Sequence, residues 1–126
     1  MSVIIKSDNQ AISHFGQFKS LNTTAQAEFD KYKARVLADG GVINNEAKTL
    51  EGFQILFSSN AYGNCNTFVG GSFGVKLSGS GVSKLYSLDG HDLVAKQYNG
   101  APLATIDSSN AINFESNSAN SGVIYS

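Results

Sequence analysis

A chain of 126 residues is enough for one domain with a modest core, and its net charge of -1, nine basic against ten acidic residues spread along it, offers no electrostatic footprint for nucleic acid or an anionic membrane. Ser, Asn and Gly (17, 12 and 13 residues) make up a third of it, which implies many turns, yet 41% hydrophobic content with eight Phe and five Tyr is too rich for a disordered chain. No apolar run approaches a bilayer span, the N-terminus lacks a signal-peptide pattern, and the single Cys65 cannot form an internal disulfide. Cytoplasmic synthesis, with no membrane and no direct nucleic-acid partner, is therefore expected.

Residues 1–22 read as a docking arm. Val3-Ile4-Ile5 is a strand candidate too short to make a sheet unaided and suited to adding a strand to another subunit; Phe15 and Phe18 are further candidate contacts, and His14 is a surface or interface residue. The domain proper spans 23–115. Thr23 as N-cap with Gln26 three residues on predicts a helix from about residue 24, and Ala25, Phe29, Tyr32 and Val36 recur at helical spacing along one buried stripe. Gly40-Gly41 supplies the positive-φ residue that stops this helix, after which Val42-Ile43 re-enters the apolar interior. Asn44 or Asn45 caps a second helix running to about residue 57, with Leu50, Phe53 and Phe57 as its apolar stripe and Gly52 weakening its middle. Residues 58–71 are turn-rich and read as a long linking loop.

Five short strand candidates follow: 72–77, 82–88, 91–98, 101–106 and 111–115. Asp89-Gly90 and Asn99-Gly100 have the composition of type I′ hairpin turns, so an antiparallel meander is expected over about 72–115, with Pro102 at a strand start or edge. Val94, Lys96 and Tyr98 alternate with Leu93, Ala95 and Gln97, so neither sheet face is cleanly polar; helices would cover one and another subunit the other. Residues 116–126 are a polar tail ending in Val123-Ile124-Tyr125, a second arm candidate. The fold class is α+β: an N-terminal arm, an αα-hairpin, then an antiparallel β-meander or small partial sandwich. Phe29, Tyr32, Val36, Gly40, Gly41, Asn99 and Gly100 are the residues expected to determine it.

Site chemistry is sparse. Asp89, His91 and Asp92 combine two carboxylates with an imidazole, but calcium and zinc sites need more ligands than this cluster supplies, and a turn with a flanking His explains it. Gly70-Gly-Ser-Phe-Gly74 precedes a strand instead of the helix a phosphate loop requires. Cys65 and the two histidines are too far apart in sequence to indicate a triad, and Cys65 reads as a half-buried small residue. No catalytic residue, metal ligand or cofactor is assigned, and the chain reads as a non-enzyme.

The run Tyr32-x-x-Arg35-Val36-x-x-Asp39-Gly40-Gly41-Val42 resembles a segment of structural proteins in tailed-bacteriophage virions, appendage or decoration proteins in which it precedes a concanavalin-like β-sandwich. Val3 to Asn9 with Phe15-Gly16 is similar to the N-terminal tags of phage appendage proteins, and Lys84 to Gly90 with Asn110 to Phe114 looks like the opening strands of the sandwich. The resemblance implies a virion structural subunit on capsid, neck or tail, located in the virion, partnered by other virion proteins and assembled as a homo-oligomer, with a trimer favoured. Val3, Ile4, Ile5, Phe15, Phe18, Val123, Ile124 and Tyr125 are its candidate assembly contacts. Two other classes stand beside it: a carbohydrate- or receptor-binding module using Tyr62 in the 60–67 loop, and a small metal-dependent enzyme using Asp89, His91 and Asp92.

Overall fold

The computed structural model describes residues 24–64, 67–115 and 121–126. Val3, Ile4, Ile5, His14, Phe15, Phe18, Thr23 and Cys65 lie outside them. Helix α1 covers residues 24–38, and Ala25, Phe29, Tyr32 and Val36 are all buried, as the spacing predicts. It ends in a Schellman motif: Gly40 takes φ +80°, the Gly40 N–H donates to Leu37 O at 3.1 Å and the Gly41 N–H to Val36 O at 2.8 Å. Gly40 is thus the positive-φ residue, and Gly41 is required for a different reason. A Cβ at position 41 would lie 2.5 Å from Tyr86 Cε2 and 2.9 Å from Val36 Cγ1, so only hydrogen fits where the chain turns under the Tyr86 ring.

Strand β1 (Val42–Ile43) follows at once, separating the two helices of the expected hairpin; Ile43 packs on the core while Val42 remains half-exposed. Asn45 caps α2 (Glu46–Ser58), its side chain accepting the Lys48 N–H at 2.9 Å, while the Asn44 amide donates to Gly71 O at 2.7 Å. The buried face of α2 is Thr49, Gly52, Phe53 and Leu56, with Leu50 and Phe57 only partly buried, so the stripe is rotated from the expected one. Gly52 is the cause. A Cβ there would sit 2.8 Å from Leu88 Cδ1, and its absence lets α2 roll onto Leu88 and Phe73.

The sheet is antiparallel and unclosed, with Val42–Ile43, Gly74–Ser78, Gly81–Leu85, Leu93–Tyr98 and Gly122–Tyr125 side by side in that order. Strands β2 (Gly74–Ser78) and β3 (Gly81–Leu85) form a tight hairpin with Gly79 at φ +63°. Beyond β3 the sheet forks. Strand β4 (Leu93–Tyr98) pairs with Lys84 and Leu85, whereas β5 (Thr105–Ile106) pairs with Gly81 and carries β6 (Ile112–Asn113). Asn99 and Gly100 adopt φ 54° and 72°, and the Ala101 N–H donates to Tyr98 O at 3.2 Å, so the expected turn is present. The strands flanking it do not pair. Ala101 and Ala104 bury instead, and Val82 N–H donates to Ala104 O at 2.7 Å, drawing this segment to β3. Asp89-Gly90, by contrast, is not a type I′ turn: only Gly90 has positive φ, and the Asp89 carboxylate holds the backbone locally by accepting the Ser87 hydroxyl and the His91 N–H.

Strand β7 (Gly122–Tyr125) places the Val123-Ile124-Tyr125 end of the expected tail in the sheet. It pairs with β4 from Ala95↔Tyr125 to Tyr98↔Gly122, and the Tyr125 hydroxyl donates to Val82 O at 2.6 Å and accepts the Ala104 N–H at 3.2 Å. Two apolar clusters result. Helices α1 and α2 enclose one with Tyr86 and Leu88; Val75, Val82 and Leu85 form the other with Val69, Ile106, Ile112 and Tyr125. On the face away from the helices, Val69 and strands β5 and β6 of the same chain pack against β2 and β3.

Candidate functional site

Alternation along β2 and β3 places Lys76, Lys84 and Tyr86 on the face that α1 crosses, and α1 brings Tyr32, Arg35 and, at its end, Asp39 onto them. The Tyr32 hydroxyl is buried between two backbone groups, donating to Tyr86 O and accepting the Gly74 N–H, each at 2.8 Å. Asp39 accepts from the Tyr86 hydroxyl at 2.6 Å and from the Lys84 and Lys76 ammoniums at 3.0 and 3.2 Å. Arg35 reaches Asp92 at 2.5 Å and Ser87 O at 2.9 Å; Asp92 also accepts the Ser87 N–H and pairs with Lys84 at 3.3 Å. Arg35 lies over the Tyr32 and Tyr86 rings and Lys84 over Tyr86. The charges alternate as Lys76, Asp39, Lys84, Asp92, Arg35, and the Tyr32 to Val42 run supplies Tyr32, Arg35 and Asp39 to this clasp.

The clasp locks protonation states. Bonds from Tyr86, then Lys84 and Lys76, hold the Asp39 carboxyl well below the usual carboxylate range. Burial, reinforced at Tyr86 by its bond to Asp39, pushes both the Tyr32 and Tyr86 phenols up. Burial alone would lower Lys84, but its bonds to Asp39 and Asp92 outweigh that and raise it. At neutral pH, Asp39 is ionised, Lys84 charged and both phenols neutral. None of these four is poised near 7, where proton transfer is most effective.

Asp92 thus faces Arg35 and Lys84, while Asp89 faces Ser87, and the two carboxylates do not converge with His91 on one point. Among the described residues no three His, Cys, Asp or Glu side chains group as a metal site. Asp89 is almost wholly buried; its Oδ2 lacks a hydrogen bond and lies 3.5 Å from His91 Nδ1. It borders a cavity of about 130 Å³ shared with Glu28, Arg35 and Tyr62. The ring of Tyr62 stacks on Phe57 at 4.4 Å and its hydroxyl donates to Glu28 at 3.1 Å; burial, with this bond, pushes the phenol up to about 12. A larger open groove of about 390 Å³ runs between α2 and residues 68–73, lined by Ile55, Phe68, Phe73 and the backbone of Gly70 and Gly71.

No family model, curated protein or solved structure matches this chain. The geometry is therefore the basis for any reading of the site. The sequence-expected residues Phe29, Tyr32, Val36, Gly40 and Gly41 meet in the clasp and the core beneath it, whereas Asn99 and Gly100 sit at a distant turn. Lys84, Tyr86 and Asp92 complete the clasp without having been singled out for it. The one signal available was the alternation of Lys84 and Tyr86 opposite a helix carrying Arg35 and Asp39. Val123, Ile124 and Tyr125 form the sheet edge, with Ile124 54% exposed beside Val94 at 49% and Tyr98 at 50%.

Proposed function

We propose that the chain is a structural subunit of a tailed-phage virion, an accessory or appendage-anchoring protein that acts by assembling with other virion proteins and with copies of itself. The observation carrying this reading is the use made of its polar groups. The charged and phenolic side chains where α1 meets the sheet are bound to one another in the clasp, and further along the same face the sheet is open and carries the half-exposed apolar side chains Val94, Tyr98 and Ile124. Such a surface suits stationary contacts between subunits, where many copies on a lattice make weak contacts sufficient. The resemblance of the Tyr32 to Val42 run supplies the phage setting, and the Val3-Ile4-Ile5 segment is the proposed arm that docks on a neighbouring virion protein.

The test is mass spectrometry of purified particles with cryo-EM to place the chain. Deletion of residues 1–9 should leave the circular-dichroism melt unchanged and abolish incorporation. Full incorporation of the deleted chain would refute the docking arm, and absence of the intact chain from particles would refute the virion role.

A further inference from the structure

The outermost strand, β7, has one edge on β4 and one edge on nothing among the described residues. Val94 and Ser126 exchange both backbone hydrogen bonds, at 2.9 and 3.1 Å, which fixes the alternation: Ile124 and Gly122 also turn their backbone groups toward β4, and Val123 and Tyr125 turn theirs outward. Natural edges are blunted by lysine, proline or a bulge. The Gly122-Val-Ile-Tyr125 edge has none of these, and it is apolar on both faces.

The geometry points to a second copy of this chain as the occupant of that edge, joined antiparallel, β7 against β7, about a two-fold axis at Ile124. The outward groups are self-complementary in this arrangement. Val123 meets Tyr125 of the second copy and Tyr125 meets its Val123, four backbone hydrogen bonds in all, and the two Ile124 side chains fall opposite one another as a close, non-hydrogen-bonded pair. Ile124, Val94 and Tyr98 lie on one sheet face, since Lys96 opposes Ile124 and stands two residues from each of the other two along β4, so pairing joins two half-exposed, largely apolar strips into one. Lys96 keeps its charge clear of its counterpart, three strand spacings or about 14 Å away. The inference gives the assembly role a contact surface and rests on it for the presence of neighbouring copies. An edge that pairs with itself requires two-fold symmetry, in place of the three-fold arrangement implied by resemblance.

In a Cys65→Ser background of the full chain, Ile124→Cys should oxidise to a disulfide-linked species of twice the monomer mass, because the opposed Cα atoms fall within bridging distance. Lys96→Cys should not cross-link. Ile124→Lys and Ile124→Glu should each lose the pair in light scattering while keeping the wild-type melt, and mixing the two should restore it. A trimer mass, equal cross-linking at 96 and 124, or no cross-link at 124 would overturn the proposal. A chain that pairs at 124 but is absent from particles would keep this inference and lose the virion role. A chain found in particles without any cross-link at 124 would do the reverse.

Discussion

Where α1 crosses β2 and β3, Lys76, Asp39, Lys84, Asp92 and Arg35 answer one another at 2.5 to 3.3 Å, whereas further along the same sheet face β4 and β7 show Val94, Tyr98 and Ile124 half-exposed. The first region is specified by directional bonds that only one arrangement satisfies; the second by little more than strand pairing. Stability and identity of the fold belong to the first, and freedom to take a neighbour to the second. Substitutions should divide accordingly.

The largest loss is expected at Gly41→Val. The new side chain must displace the Tyr86 ring and Val36, and overpacking of this kind should cost about 3 kcal/mol in denaturant unfolding. Tyr32→Phe should follow at about 2 kcal/mol, since it leaves the Gly74 N–H and the Tyr86 carbonyl buried without their shared partner. An unchanged midpoint for either would mean that the clasp does not hold the helix to the sheet. Asn99→Val, at the remote turn, should cost about 1–2 kcal/mol through positive φ alone, without altering the clasp.

Acid should act on the clasp through Asp39. Its folded pKa is depressed relative to an unfolded value of about 3.9, so the ionised carboxylate stabilises the fold above that pH and the contribution is lost as pH falls. Asp107, held at about 2 by Ser109, the Ala111 N–H and Asn113, behaves the same way between about pH 4 and 2. The melting temperature should drop across that window, and Asp39→Asn should remove part of the drop. The smallest effect is expected for Tyr98→Ser, within about 0.5 kcal/mol of wild type, because its side chain is half-exposed on the open sheet. A large loss there would mean that this face is already covered.

Local chemistry made the helices legible. Ala25, Phe29, Tyr32 and Val36 announced α1, the Gly40-Gly41 pair its end and the Asn44-Asn45 pair the start of α2, because capping and periodicity act within a turn or two. The turn at Asn99-Gly100 was equally visible, but not its partners: β5 goes to β3 and β7 to β4, choices set by burial of Ala104 and by the Tyr125 hydroxyl reaching Val82. Gly-Val-Ile-Tyr after a polar spacer has no feature that separates an edge strand from a tail. The clasp itself was illegible, since the pairs that tie α1 and its end to the sheet lie 37 to 57 residues apart and follow from topology.

That separation also orders the folding of the chain. The β2–β3 hairpin closes through two residues, Gly79 and Ser80, whereas Arg35 finds Asp92 across 57 residues and Tyr32 finds Tyr86 across 54. Loop-closure entropy favours the short connection, so the hairpin forms early and presents Lys76, Lys84 and Tyr86 as a finished template. Helix α1 then docks on it as a late event, and Tyr32→Phe should accelerate unfolding while leaving the refolding rate nearly unchanged.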